Sequence, residues 1–295
     1  MNSILPKISV ITPSFNQGQF IEETILSVLG QNYPNIEYII VDGGSSDNTV
    51  DIIHKYENKI HYWISEKDFG QSHAINKGFA KATGDIVCWL NSDDLYMPGT
   101  LNYIAEQIVK DEKVVIFGNA LHFRQSSTGI SSYGSDVIGD SERHLLENRD
   151  YIIQPSAFWT KRVWEDVGSL REDIHFAFDW EWFLRAKKMG VQFKGVQKCL
   201  SLYRIHDDHK TGTGGVKRQR EILEVYNAYS SKYAALYKII LEEDIDMSKL
   251  MPRAAELLLH AFNMSTRPVD IIKAMNYMKY RLYTTNEIAG ALAML

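Results

Sequence analysis

Apolar positions in the first 120 residues follow two alternating patterns. Short continuous runs rich in β-branched residues occur at 8–12 (ISVIT), 36–41 (IEYIIV), 60–64 (IHYWI), 85–90 (DIVCWL) and 114–117 (VVIF). Such runs suit strands buried on both faces. Between them the period changes to that of a helix. Ile21, Ile25, Val28 and Leu29 share one face, Val50, Ile53 and Tyr56 mark a second helix, and Ile75, Phe79 and Ala82 mark a third. Gly84 is expected as the C′ residue of the third helix, and Pro98 at N1 of a fourth that carries Leu101, Ile104, Ala105 and Ile108 inward. The alternation predicts an α/β fold with a largely parallel sheet and helices on its faces. Residues 125–141 (QSSTGISSYGSDVIGDS) show neither period and read as a long loop. A helix over 179–189 and a strand over 199–205 follow. From Val216 onward only helical periodicity remains, so the division expected is an α/β domain over 1–215 and a helical extension over 216–295.

Composition narrows the function classes. Hydrophobic residues make up 45% of the 295 and charged residues 23%, values of a folded globular chain. The formal charge is −5, without the basic excess that a phosphate backbone requires, so no nucleic-acid partner is expected. Cys88 and Cys199 lie in apolar runs and read as buried free thiols rather than a disulfide framework. The N-terminal residues show no signal-peptide pattern, and no apolar stretch reaches the 18 or so residues of a membrane span. The expectation is a cytoplasmic protein, with peripheral membrane contact or a homo-oligomer through the C-terminal helices left open.

In an open parallel sheet, ligands bind beyond the carboxyl ends of the strands. Those ends are polar here: Thr12 to Asn16 after the first run, Asp42 to Asp47 after the second, and Asn91, Ser92, Asp93 and Asp94 after the fourth. Asp47 reads as an N-cap for TVDIIHKY. Asp42 precedes a Gly-Gly turn, where a carboxylate can accept from a ligand while the glycines allow close approach. The adjacent carboxylates of Asp93 and Asp94 repel unless a cation, donors or water relieve them, and a hard divalent metal is one solution. A capped turn leading to Pro98 is the structural alternative.

Two segments carry a resemblance. ISVITPSFNQGQFIEETILSVLGQNYPNIEYIIVDGGSSDNT resembles the opening of the family 2 glycosyltransferases of the GT-A fold, and DFGQSHAINKGFAKATGDIVCWLNSDDLYMPGTL resembles their second block with its D-x-D-type motif. The likeness spans about residues 7–210 and leaves the helical extension outside it.

The resemblance implies an inverting transferase that uses a nucleotide sugar, UDP by family default, with Mn²⁺ or Mg²⁺ and a saccharide or lipid-linked saccharide acceptor. It places Thr12, Ser14, Asp42, Gln71 and Asn76 at the nucleotide, with Asn91 and Ser92 beside them, and makes Asp93 the metal-binding aspartate. Asn91 stands where the family carries its first acidic residue, so it can bond a ribose hydroxyl but brings no charge. His206, in YRIHDDH, resembles the histidine of the family's R-x-H segment, a further metal ligand. Asp179, in FDWEWFLR, falls at the general-base position, with Phe178 in place of the usual preceding Glu. The residues alone leave Asp179 open to an N-cap role and Glu181 available as another carboxylate. The aromatics Phe176, Phe178, Trp180 and Trp182 read chiefly as core. Two rivals share the same strand-end chemistry: a catalytically inactive sugar-nucleotide-binding or scaffold protein, and a sugar nucleotidyltransferase, although TPSFNQGQ lacks the basic residue that a phosphate loop wants.

Overall fold

The computed structural model describes residues 5–109, 112–207, 210, 214–242 and 282–295. The chain divides into two compact units, 1–139 with 152–213 and 140–151 with 214–295. The first is built from β1 (Ile8–Ser14), α1 (Ile21–Leu29), β2 (Ile36–Asp42), α2 (Thr49–Lys55), β3 (Tyr62–Ser65), α3 (Gln71–Phe79), β4 (Ile86–Trp89), β5 (Leu95–Tyr96) and α4 (Thr100–Gln107). It continues with β6 (Val114–Ser126) and β7 (Gly129–Gly134), and, after α5 (Val137–Arg143), with β8 (Ala157–Thr160), α6 (Lys161–Val167), α7 (Phe178–Lys188) and β9 (Gln192–Arg204).

The strands form one sheet in the order β3-β2-β1-β4-β8-β6-β9-β5, with β7 paired to β6. The β3-β2-β1-β4 half is parallel, as the uninterrupted apolar runs predict. Register sets Ser14 beside Asp42 and Ile11 beside Trp89, so the polar residues that follow these strands emerge at one end of the sheet. One layer of the core joins Ile21, Ile25 and Val28 of α1 to Ile8, Val10 and Ile40 of the sheet, all at 0% exposure. On the other side Trp89 and Trp159 cross at 5.4 Å and Trp182 of α7 packs on Trp159 at 4.8 Å. Gly78 brings α3 onto β1: a Cβ there would stand 2.4 Å from Ile11 Cγ2.

Several expectations need correction. Residues 125–141 are not a loop: β6 runs on to Ser126, turns at Gly129 (φ 137°) and returns as β7, and α5 follows. Every residue of β7 is exposed, so no buried face imposes a period on its sequence. Gly84 does not cap α3, which ends at Phe79; it lies two residues before β4, where a Cβ would meet Ser9 Oγ and N at 2.6 and 2.7 Å. Pro98 precedes the cap of α4, which is Gly99 in the left-handed region at φ 78°. The strand expected at 199–205 begins at Gln192, the one expected at 60–64 runs from Tyr62 to Ser65, and β5, β8 and α6 give too short a signal to be legible. Cys88 is buried, but Cys199 is only half-buried.

The second unit contains α8 (Gly215–Tyr229), α9 (Ser231–Glu242) and α10 (Thr285–Leu292). A capping box starts α10: Thr284 Oγ1 accepts from the Glu287 amide, and the Glu287 carboxylate accepts from the Thr284 amide. Tyr226 of α8 is fully buried and donates to the Asn148 carbonyl at 2.6 Å. The helical periods at 249–262 and 268–281 lie outside the described residues. Among the described residues no helix is long and apolar enough to cross a membrane.

Candidate active site

The turn that leaves β4 carries the site. Asn91, Ser92, Asp93 and Asp94 are held from α1 by Thr24, whose buried hydroxyl lies 2.9 Å from both the Ser92 and the Asp94 carbonyl oxygens. From β9, the Arg204 backbone amide donates to Asp94 Oδ1 at 3.0 Å and its Nε donates to the Asp93 carbonyl at 3.0 Å. The Arg204 guanidinium, 4% exposed, is sandwiched between the rings of Phe20 and Phe123 at 4.8 and 4.7 Å and pairs with Glu23. Desolvation, followed by the neighbouring Asp93 carboxylate, pushes Asp94 well above the usual carboxylate range, against the pull of the Arg204 amide and Asn91. Asp94 is a buried scaffold for the turn, and Asp93 is its outward carboxylate.

Asp93 Oδ2 lies 3.1 Å from His206 Nε2, with the two side chains 22% and 15% exposed, and the His206 ring packs on Phe20 at 4.7 Å. Residues far apart in sequence, the β4 turn and the segment after β9, thus place two metal-type donors together. Among the described residues no group of three or more His, Cys, Asp or Glu side chains could hold a metal. A hard cation commonly takes one or two protein ligands and completes its shell with substrate phosphates and waters. Two adjacent ligands at about 2.1 Å from an octahedral ion stand about 3 Å apart, so the Asp93–His206 pair fits such an ion.

Beside this pair opens a cavity of about 110 Å³ whose lining includes Asn91, Asp93, Asp179, Phe178, Tyr203 and Lys210. It falls short of the roughly 300–1,000 Å³ of a complete ligand pocket, so it can enclose only part of a nucleotide sugar. Gln71 also lines it and bridges its walls: its Nε2 donates to Asn91 Oδ1 at 2.8 Å, and Lys210 Nζ donates to its Oε1 at 3.0 Å. Lys210 Nζ lies 5.0 Å from the centre of the Phe178 ring. Asp179 stands in the first turn of α7, with Oδ1 accepting from the Trp180 amide at 2.8 Å. The cap of α7 is Ala177, so Asp179 does not cap the helix, and Glu181 is buried away from the cavity in an ion pair with Arg185 at 3.1 Å. Trp180 and Trp182 are core as expected, whereas Phe176 and Phe178 also form cavity wall.

The remaining residues singled out in the sequence sit elsewhere. Asp42 is fully buried and spends its carboxylate on its own turn, accepting from the Gly44 and Ser45 amides and from the hydroxyls of Ser45 and Ser65 at 2.5–3.1 Å. Thr12 is buried with its hydroxyl 3.2 Å from Tyr38 Oη. Ser14 Oγ is buried without a hydrogen-bond partner at the end of β1. Asn76 turns its amide to Leu170 and Glu172, and Ser92 is buried in the turn. Asp47 is not the N-cap its sequence predicts: the cap of α2 is Asn48, and Asp47, one residue earlier, accepts from the amides of Thr49 and Gly18 and from the Thr49 hydroxyl in an Asx-type turn. Sequence reasoning missed Lys210 and Gln154. Gln154 donates to the Trp89 carbonyl at 2.9 Å and lines the cavity, and QPS ahead of an apolar run was the signal available; Lys210 had only its position four residues after His206.

Comparison with known proteins places this geometry. The model of the family described as glycosyl transferase family 2 matches residues 9–166. A putative teichuronic acid biosynthesis glycosyltransferase, TuaG of Bacillus subtilis, is 31% identical over 209 residues, covering 70% of this chain and 81% of that protein. The GalNAc(5)-diNAcBac-PP-undecaprenol beta-1,3-glucosyltransferase of Campylobacter jejuni is 26% identical over 255 residues, with coverage of 83% and 77%. In fold, the chain is similar to the mannosyltransferase PcManGT from Pyrobaculum calidifontis in complex with GDP-Man and Mn²⁺ (TM-score 0.62, 18% identity, 99% and 86% covered). It is also similar to S. aureus TarS 1-349 in complex with UDP (TM-score 0.57, 18% identity, 98% and 87% covered), and it spans 53% of a longer TarS chain. The matched region includes both polar strand ends and the 91–94 turn, and the relatives are glycosyltransferases along most of their length; the chain belongs to glycosyl transferase family 2 and is a glycosyltransferase of GT-A architecture.

Proposed function

We propose that this enzyme transfers a sugar, with inversion, from a nucleoside diphosphate donor, UDP foremost, to a hydroxyl of a saccharide or lipid-linked saccharide, assisted by Mn²⁺ or Mg²⁺. The observation that carries the reading is the juxtaposition of His206 with Asp93, which lines the same cavity as Asp179. Asp93 Oδ2 and His206 Nε2 would hold the metal, which when bound supplies Lewis-acid neutralisation of the departing diphosphate. Lys210 and Gln71 flank the same space, the first as a cation beside the phosphates and the second as an orienting amide. Asn91 offers a neutral side chain held between Gln71 and Gln154, suited to a ribose hydroxyl. Ser14, whose buried hydroxyl awaits a partner, supports placement of the nucleoside over the ends of β1 and β2. Asp42 takes part there by fixing the Gly43–Ser45 turn.

Asp179 takes the acceptor proton as general base. Its carboxylate is oriented by the Trp180 amide and faces the cavity from the side of α7. UDP as the donor nucleotide is supported by the family resemblance and by the UDP complex of TarS; the GDP-Man complex of PcManGT makes GDP the second nucleotide to test. A lipid-linked acceptor is supported by the undecaprenol-linked substrate named for the Campylobacter relative. The domain division at about residue 215, with acceptor or membrane recruitment in the helical extension, belongs to the same proposal. A donor screen reading nucleotide-sugar hydrolysis with and without Mn²⁺ tests it. Metal-dependent release of one nucleoside diphosphate is expected, and release of nucleoside monophosphate would point to nucleotidyl chemistry instead.

A further inference from the structure

The hairpin of β6 and β7 poses a packing problem. All six residues of β7 are exposed, so the strand contributes nothing to a core, yet it carries Tyr133 at 60% exposure. Register explains where that ring points. His122 of β6 is the cross-strand partner of Tyr133 on one side and of Tyr203 of β9 on the other. The three side chains share one face of the sheet. His122 and Tyr133 stack with ring planes 1° apart and centroids at 4.7 Å, and His122 meets Tyr203 at 5.0 Å. Tyr203 lines the cavity that holds Asp179. A row of rings therefore runs from the general-base wall of the cavity out along an exposed strand. Burial holds the His122 pKa below its usual value, so at neutral pH the middle ring is uncharged.

We propose that Tyr203, His122 and Tyr133 form a saccharide-binding platform that receives the acceptor sugar chain as it leads into the cavity. The occupant follows from continuity and chemistry. A surface continuous with the reactive carboxylate receives the group to be deprotonated, and aromatic rings with polar edges suit a ligand with apolar C–H faces ringed by hydroxyls. Two residues along the same face, Arg124, paired with Asp207 at 2.8 Å, supplies donors for those hydroxyls. Stacking on rings tolerates several sugars, so the platform sets chain direction more than sugar identity.

Naming the ligand an acceptor rests on the transferase reading above, and the test separates the two. Saturation-transfer NMR on the full chain with UDP, diamagnetic Mg²⁺ and a panel of methyl glycosides and disaccharides of glucose, galactose and their N-acetylamino forms reads both ligands at once. The expected result is transfer to saccharide C–H protons in the wild type and in Tyr133→Phe, and affinity about tenfold weaker in Tyr133→Ala, the size of one lost aromatic contact. UDP signals stay equal in all three. Saccharide signals absent from the wild type, or unchanged in both Tyr133→Ala and His122→Ala, would overturn the platform. Tyr133-dependent saccharide signals without any UDP signal would support the platform and remove the UDP assignment.

Discussion

The Asn76 side chain pairs with the backbone of Leu170 in both directions: Nδ2 donates to the Leu170 carbonyl at 3.0 Å and Oδ1 accepts from its amide at 2.9 Å. The amide of α3 thereby acts as a short piece of sheet for the segment that leads to α7 and Asp179. The resemblance puts this residue at the nucleotide, but its described contacts tie two parts of the scaffold together.

Asn76→Ala should therefore lower stability by roughly 1–3 kcal/mol, the cost of leaving a backbone donor and acceptor without partners. Urea unfolding monitored by tryptophan fluorescence measures it. A fall in nucleotide affinity greater than tenfold with unchanged urea midpoint would return Asn76 to the ligand.

Gly78→Ala should destabilise the protein by about 1–3 kcal/mol, since the new methyl would stand 2.4 Å from Ile11 Cγ2 in a close-packed layer. Ile11→Ala removes the clashing Cγ2, so the losses from Gly78→Ala and Ile11→Ala should be less than additive in the double mutant. Additive losses would show that the helix, not the contact, is at fault.

Much of the fold was legible because buried parallel strands announce themselves as unbroken apolar runs: β1, β2 and β4 lie within a residue or two of ISVIT, IEYIIV and DIVCWL. The β6–β7 hairpin was not, because a strand exposed on both faces has no periodicity to read. In the candidate site, polar residues after β4 line the cavity. The sequence could not show that the Asp42 carboxylate is consumed by Ser45 and Ser65, because that depends on β3 bringing Ser65 alongside β2. Nor could it show the Arg204 sandwich, which joins residues 20, 123 and 204 through tertiary packing alone.

Acid should weaken the protein through Glu37. This carboxylate is buried at 0% exposure; desolvation raises its pKa, but the combined bonds from Lys7, Ser9 and Thr83 overcome that and hold it down at about 2. A depressed carboxylate stabilises the folded state fully above its unfolded value near 4.5, and the contribution is lost as pH falls from there through about 2. The loss is of order 3 kcal/mol by linkage. Glu37→Gln should be less stable at pH 7 and flatter between pH 5 and 2 in thermal melts, and an unchanged pH profile would show another group responsible.

Asp179→Asn should lower kcat for transfer by about 10² to 10⁴ with donor affinity nearly unchanged, because the amide keeps the shape but cannot take a proton. Glu181→Gln should instead cost stability through Arg185, with kcat near wild type. The reverse pattern in steady-state kinetics would move the base by two residues.

Asp93 and His206 are proposed to hold the metal that binds the donor diphosphate. Calorimetric titration of UDP and GDP into the full chain with and without Mn²⁺ measures it most directly. Metal-dependent binding of one of them is expected, lost in Asp93→Ala and weakened at least about tenfold in His206→Ala. Unchanged affinity in Mn²⁺ for both variants would contradict it.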